Sequence, residues 1–444
     1  MTSVIVRGGS LVAPEGEHLA DIYIEGERIV EIAPGMSRPA KDEIDARGLY
    51  VLPGAIDVHL HFNEPGRTEW EGAATGSCAL AAGGGTLFFD MPLNSTPCTV
   101  SASEVDRKRV ALEDASITDF CLWGGLIPES VTRMAEMASA GVVGFKAFMC
   151  DSGLPEFPRA DERTLLEGMK EAATLGLPVA VHAESDEIIR GLSRALTGRG
   201  ARDFLASRPV VAECEAVDRA LALAKDTGVK LHIVHVSSGA AVALAAEARA
   251  TGVDVSIETC PHYLFFTEQD VERLGVIAKC APPLRPDVED LWGAVASGQV
   301  DIIASDHSPT EPSMKKEGDF RASWGGIAGV QSTLAVLLDR GYHARKLPLE
   351  RIVSLVASKP AERFQIPRKG SLRVGYDADL ILVDPHRSFT LGASHLQQRH
   401  KMSPYIGSTF RGTVRRTIRR GKTIFADGRI TSTTRGKFIQ PHLA

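Results

Sequence analysis

Through the middle of the chain, short apolar runs rich in β-branched residues alternate with segments rich in alanine and other helix-forming residues. The apolar runs predict eight strands, at residues 55–61, 86–91, 118–123, 142–148, 178–183, 230–236, 253–259 and 300–305. Between them, Ser101 begins a Ser-Ala-Ser-Glu capping pattern, and residues 216–225 are strong helix formers. Eight strand-helix units favour an α/β fold of the (β/α)8 TIM-barrel type over a doubly wound open sheet.

Both ends of the chain have a different pattern, in which short alternating runs are separated by glycine and proline. These runs are Ser3–Arg7, Asp21–Ile24, Arg28–Ile32, Leu380–Val383, Val414–Ile418 and Lys422–Phe425. Alternation of this kind predicts strands with one buried face. We therefore expect residues 1–53 and 370–444 to form one small β-sandwich domain, and residues 54–369 to form the barrel.

Potential metal ligands stand where several of the predicted barrel strands end. His59 and His61 close the first strand, and side chains two apart on a strand point to the same side. His182, His235 and Asp306 stand at the ends of later strands. A His-x-His pair alone is common, but three more candidates at matching positions favour a metal site. Ligands on the first and last strands also favour a closed barrel, because an open sheet would hold its two edges apart.

Lys146 interrupts an otherwise apolar predicted strand. A buried ammonium group is costly unless it is paired or loses its charge. The side chain could form a salt bridge, or it could act as a Schiff-base nucleophile. A third interpretation is that the neutral amine adds carbon dioxide and becomes a carbamate whose two oxygens bridge two divalent ions.

Two further positions near the candidate site have alternative interpretations. Asp306 could ligate a metal ion and accept a proton from metal-bound water, or it could simply cap a helix or form a turn. His307 faces away from Asp306 and is expected to support the ligands. His232 lies three residues before His235 and faces the other way, so we expect it to be a hydrogen-bonded packing residue.

Composition limits the kind of partner. The chain has 444 residues, 44% of them hydrophobic, and a formal net charge of −6. Its basic residues are scattered, which argues against nucleic acid and favours a small-molecule substrate. Seven cysteines without a Cys-x-x-Cys pair predict free thiols in the cytoplasm. Neither a secretory signal nor a membrane-spanning segment is expected.

Taken in order, His59-Leu60-His61, Lys146, His182, His235 and Asp306 resemble the ligand pattern of the amidohydrolase superfamily. The resemblance lies in its cyclic-amidase branch of dihydroorotases, hydantoinases and allantoinases, and covers nearly the whole chain. It implies two divalent ions, with zinc as the default and cobalt, iron, nickel or manganese as alternatives. It also implies a carbamylated Lys146 between the ions, Asp306 as the catalytic base and a homotetramer.

Positions expected to face the substrate distinguish members of this branch. Dihydroorotases usually carry cationic residues where this chain has Asn63 and Thr310, and hydantoinases usually carry a tyrosine where it has Asp151. Blocks such as Met91-Pro92-Leu93-Asn94 and Ser305-Asp306-His307-Ser308-Pro309 resemble those of bacterial allantoinases. That resemblance implies hydrolysis of allantoin to allantoate.

Allantoin is uncharged, so amide, hydroxyl and backbone groups suit it better than arginine. The expected contacts are Asn63, Asn94, Cys280, Ala281 and Ser308, although each could be a turn or cap residue. A hydantoinase or dihydropyrimidinase, or a dihydroorotase, is the alternative enzyme. A metal-free scaffold protein of the same architecture is a remote alternative, because such proteins have typically lost several ligands.

Overall fold

The N-terminal strands form part of a sheet that branches. A computed structural model describes residues 3–14 and 16–442. Its first five strands are β1 (Ser3–Ala13), β2 (Gly16–Glu25), β3 (Arg28–Ala33), β4 (Asp42–Asp45) and β5 (Tyr50–Pro53). β1 pairs antiparallel with β2 on one side, and on the other side it pairs in parallel with β4 and then with β5. The sheet therefore divides along the length of β1.

The next nine strands form the barrel. They are β6 (Ala55–Leu60), β7 (Gly85–Asp90), β8 (Asp119–Leu122), β9 (Gly124–Gly125), β10 (Phe145–Phe148), β11 (Val179–His182), β12 (Leu231–Ile233), β13 (Val255–Thr259) and β14 (Ile302–Ile303). β6 to β8 form one parallel arc and β9 to β14 form a second. The amide of Val143 donates to the carbonyl of Leu122 at one seam, and that of His61 donates to His307 at the other. β8 and β9 are one strand interrupted at Trp123, so the predicted eight-stranded barrel is confirmed.

Helices cover the outside of the barrel. The α-helices are α1 (Ala73–Ala82), α2 (Ala102–Ala115), α3 (Met134–Ser139), α4 (Glu162–Leu175), α5 (Asp186–Ala195), α6 (Ala201–Ser207), α7 (Val210–Thr227), α8 (Gly239–Ala250), α9 (Glu268–Leu274), α10 (Glu289–Ala296), α11 (Thr333–Val336), α12 (Leu349–Val353) and α13 (Lys359–Arg363). Short 3-10 helices occupy Val131–Arg133, Pro261–Leu264, Gly275–Ala278, Pro312–Met314, Val330–Ser332 and Ala393–His395, and π-helical turns occupy Leu337–His343 and Ser354–Ser358. As expected, the Ser101 side chain accepts a hydrogen bond from the Glu104 amide and caps α2. Within the described ranges, no helix has both the length and the apolar character needed to cross a bilayer.

The two ends of the chain meet in one sheet. The last strands are β15 (Leu380–Thr390), β16 (Thr409–Arg419), β17 (Lys422–Ala426) and β18 (Arg429–Ile430). β15 pairs antiparallel with β5, which joins the C-terminal strands to the N-terminal ones. Apolar side chains from both parts, including Val6, Ile24, Leu380 and Ile418, pack in one buried cluster. This arrangement fits the predicted β-sandwich.

Residues after β18 leave the sheet and return to the barrel, which the sequence pattern did not predict. The amide of Phe120 donates to Lys437, and the amide of Ile439 donates to Phe120. The rings of Phe120 and Phe438 lie 5.6 Å apart. The chain terminus thus pairs along β8.

Candidate metal centre

His59, His61 and Asp306 converge at the carboxyl end of the barrel. Their candidate ligand atoms all lie within 4.8 Å of one another, and the three residues are buried. Oδ1 of Asp306 is 3.3 Å from Nε2 of His59 and 3.5 Å from Nε2 of His61. Both oxygens of Asp57 lie 3.2 Å from the Ser305 amide, and Oδ1 also accepts from the His59 amide. Asp57 therefore ties the end of β6 to the segment that carries Asp306.

His182 and His235 stand beside this group. His182 ends β11, and His235 follows β12 in the left-handed backbone region with a φ of 41°. The ring centroids of His182 and His235 are 4.6 Å apart, and that of His59 is 5.3 Å from His235. The four predicted histidines are thus neighbours.

Lys146 lies in β10 with its side chain fully enclosed. Its Nζ has no hydrogen-bond partner among the described residues, and it lies 5.1 Å from the centre of the Phe148 ring. Burial lowers the pKa of Lys146 to about 7, although Glu258 and Asp306 act in the opposite direction. A substantial neutral fraction near pH 7 is what both the carbamate and the Schiff-base interpretations require, whereas no direct salt bridge to Lys146 is found in the described part of the chain.

The polar atoms of this group fit a metal site. Three buried nitrogens have no hydrogen-bond partner among the described residues: Nδ1 of His61, Nδ1 of His235 and Nζ of Lys146. Buried polar atoms without partners cost about 1–3 kcal/mol each, which a bound cation would offset. Burial also lowers the pKa of His61, His182 and His235, so these rings stay neutral, as metal ligation requires.

Two buried glutamates that the sequence analysis missed hold the histidines. Glu258 lies 2.7 Å from Nδ1 of His59 and 3.0 Å from Nε2 of His232, so His232 is the hydrogen-bonded packing residue that was expected. Glu184 lies 2.8 Å from Nε2 of His182. The available signals were a carboxylate inside the apolar run of β13 and another two residues after His182. Partners of this kind fix the orientation and tautomer of metal-binding histidines.

A cavity of about 650 Å³ opens onto the group. Its wall includes four of the five residues expected to contact substrate: Asn94, Cys280, Ala281 and Ser308. Asn63 is not part of that wall, because it is buried and its Nδ2 lies 3.3 Å from the carbonyl of Pro309. Asp151, at the position where hydantoinases usually carry tyrosine, does line the cavity. His307 points elsewhere and accepts from the Gly329 amide through Nδ1.

This set of histidines, a lysine and an aspartate at the carboxyl ends of barrel strands is the arrangement typical of barrel hydrolases. The sequence profile of the amidohydrolase family matches residues 50–424, and the chain belongs to this family. An allantoinase from Solibacter usitatus is 59% identical, with 99% of this chain and 97% of the relative covered. An allantoinase from Rubrobacter xylanophilus is 53% identical over the same shares of the two chains. The structure of an L-hydantoinase (dihydropyrimidinase) from Arthrobacter aurescens has a TM-score of 0.96 at 33% identity, covering 99% of this chain and 100% of that one.

Proposed function

We propose that the protein hydrolyses the cyclic amide bond of allantoin and releases allantoate. The observation that carries this proposal is the 59% identity to an allantoinase across nearly the whole of both chains. The cavity agrees with it, because Asp151 stands in its wall where a hydantoinase would usually present a tyrosine. Thr310, at the position where a dihydroorotase would usually carry a cation, is neutral and buried, with its hydroxyl 2.7 Å from Sδ of Met314.

We further propose that His59, His61, Lys146, His182, His235 and Asp306 hold two divalent ions, with Lys146 carbamylated and zinc as the default metal. The enclosed and unpartnered nitrogens of His61, Lys146 and His235 support this ligand set. Two such ions would supply Lewis acidity and make water nucleophilic near neutral pH.

In this proposal the protein's own groups bind the substrate and move the proton. Asp306 is kept ionised by His59 and His61, which lower its pKa against the opposing effect of burial, so its carboxylate can accept a proton from the attacking water. It then passes this proton to the ring nitrogen that leaves. Asn94, Ser308 and the backbone at Cys280 and Ala281 orient a neutral substrate through amide and hydroxyl groups.

Hydantoin hydrolysis is a second candidate, favoured by the close structural match to an L-hydantoinase. We expect kcat/KM to be highest for allantoin, lower for hydantoin, and much lower for dihydroorotate, because this chain has neutral Asn63 and Thr310 at the positions where dihydroorotases usually carry cations for that carboxylate. The test compares allantoin, hydantoin, dihydrouracil and dihydroorotate on one metal-loaded preparation. The highest kcat/KM with hydantoin or dihydrouracil would establish the second candidate, and the highest kcat/KM with dihydroorotate would reject both.

We also propose that residues 54–369 act as the hydrolase domain, that residues 1–53 and 370–444 contribute the β-domain, and that the enzyme is a cytoplasmic homotetramer. The seven cysteines support a reducing compartment, since all of them are free. Light scattering of the purified protein would test the assembly.

A further inference from the structure

Next to His182, three buried side chains have the composition of a second kind of metal site. A ligand atom from each of Cys150, His182 and Glu184 lies within 4.8 Å of the other two. Thiolate, imidazole and carboxylate donors together suit zinc and softer ions such as cadmium. Cys150 and His182 also line the 650 Å³ cavity, so an ion could reach them. We call these three residues the thiol cluster.

An ion in the thiol cluster would disturb the proposed centre. Nε2 of His182 lies 2.8 Å from Oε2 of Glu184. A ring that donates from Nε2 keeps Nδ1 free to bind a metal ion. An ion that took Nε2 and the Glu184 carboxylate would remove this support. His182 would then lose its tautomer and its orientation.

Arg208 places a permanent positive charge in the thiol cluster. Its guanidinium forms a salt bridge with Glu184, and only 17% of its side chain is exposed. Nη1 of Arg285 donates to the Arg208 carbonyl at 2.7 Å, which anchors the backbone. Arginine does not lose its proton in proteins, so this charge is present at every working pH.

One carboxylate oxygen of Glu184 is available to bind a further cation. Oε1 of Glu184 is buried and has no hydrogen-bond partner among the described residues. Cys150 is also buried, with its Sγ within 4.8 Å of the His182 and Glu184 ligand atoms, and Arg208 balances the charge of Glu184. Without the guanidinium, Glu184 would be a buried and uncompensated charge, which favours capture of another cation.

We propose that Arg208 occupies the cation position of the thiol cluster and so excludes a third, thiophilic divalent ion that would otherwise draw Glu184 away from His182. Like charges repel at short range, and the repulsion is stronger between buried groups than in bulk water. The proposal rests on the proposed role of His182 as a metal ligand. It assigns Arg208 a protective role in metal selection, separate from any contact with substrate.

The test titrates the zinc-loaded wild type, Arg208→Met and Arg208→Gln with cadmium. Elemental analysis counts the bound ions, and ultraviolet absorption reports cadmium-thiolate charge transfer. We expect about two ions per wild-type chain and about one more in each variant, accompanied by charge-transfer absorption and lower activity. Adding Cys150→Ser to Arg208→Met should remove both the extra ion and the absorption. Arg208→Lys keeps the charge and should bind the same number of ions as the wild type.

Two matched controls separate this effect from a general loss of charge or of thiol. Arg190→Met removes another arginine of the cavity wall, one whose side chain is 60% exposed, and it should not admit a third ion. Adding Cys280→Ser to Arg208→Met removes another thiol of the cavity wall, and the extra ion should remain bound. No extra ion in either Arg208 variant, an extra ion that survives Cys150→Ser, or a fall in metal content would overturn the proposal. A wild type that binds no metal would contradict the ligand set instead.

Discussion

At the scale of the single residue, Lys146 has the least usual environment in the candidate centre. It is enclosed in a barrel strand, and its amine has no hydrogen-bond partner among the described residues. Burial brings its pKa to about 7, where an amine is partly neutral and can react with carbon dioxide or with a carbonyl. The environment therefore permits the carbamate and the Schiff base alike, and chemistry must distinguish them.

We expect Lys146→Ala to bind fewer than two divalent ions and to lose activity, because two cations would then lack negative charge between them. Metal analysis and turnover measure both effects, and short carboxylic acids should restore part of the activity. Lys170→Ala, at an exposed position of α4, is the matched control. Normal metal content in Lys146→Ala would argue against the carbamate, and borohydride trapping of substrate on Lys146 would establish the Schiff base.

Asp306→Asn should keep the fold and remove the proton acceptor. Loss of a general base costs on the order of 10²–10⁴ in rate, and weaker metal binding would add to that loss. Turnover at several pH values, with thermal unfolding as the check on folding, measures the effect. If the variant turned over as fast as the wild type across that pH range, Asp306 would not be the proton acceptor.

At the scale of the element, carboxylates hold the strand ends in position. Asp57 connects β6 to Ser305, and Glu258 in β13 contacts His59 of β6, His232 of β12 and the His235 amide. Parallel strands brought together by their backbones would still leave the imidazole rings free to rotate. These buried acceptors select one orientation for the rings and so connect strand register to ligand geometry.

Glu258→Gln should weaken metal binding roughly 10- to 100-fold, because a neutral amide holds the His59 ring less well. Competition with a chelator measures this affinity. Ser256→Ala is the matched control, since the Ser256 hydroxyl lies 2.8 Å from Nδ1 of His232 and 3.4 Å from the Leu231 carbonyl, and neither residue is a proposed metal ligand. An equal loss in both variants would indicate general loosening of β13 instead of a specific role for Glu258.

Periodicity predicts the barrel because buried strands need long apolar runs, and each predicted run overlaps an observed strand. It predicts the neighbourhood of the four histidines and Asp306 because barrel strands present their carboxyl ends together. It could not find the pairing of residues 436–439 with β8, since that segment is too short to show a period and its partner is distant in sequence. Nor could it show that Asn63 turns toward Pro309, which depends on loop conformation.

At the scale of the whole molecule, one buried lysine connects the barrel to the β-domain. Nζ of Lys369 lies 2.7 Å from Asp119 at the start of β8, and 3.0 and 2.6 Å from Asp377 and Asp379 just before β15. The side chain is 1% exposed. The carboxylates raise the pKa of Lys369 against the effect of burial, so the ammonium remains charged.

Lys369→Met should therefore lower the free energy of unfolding by roughly 3–5 kcal/mol, because it removes the cation that three buried carboxylates share and leaves Asp379 without its cationic partner, although Asp119 keeps Arg420 at 3.1 Å. Thermal and urea unfolding measure the loss. Lys359→Met breaks the exposed pair with Glu362, whose two side chains are 46% and 70% exposed, and should cost at most about 1 kcal/mol. Similar stabilities of the two variants would show that Lys369 does not carry the domain contact.

The pairing of residues 436–439 with β8 has a consequence for how the molecule is assembled during synthesis. These residues contact a strand far earlier in the chain: Lys437 and Asp119, which are hydrogen-bonded, are 318 positions apart. Phe120 cannot gain its Phe438 neighbour, nor the hydrogen bonds of Lys437 and Ile439, until residues 437–439 have been synthesised. β8 thus reaches its final packing only after these residues have left the ribosome, and nascent chains halted before residue 436 would present an incompletely covered β8 to chaperones.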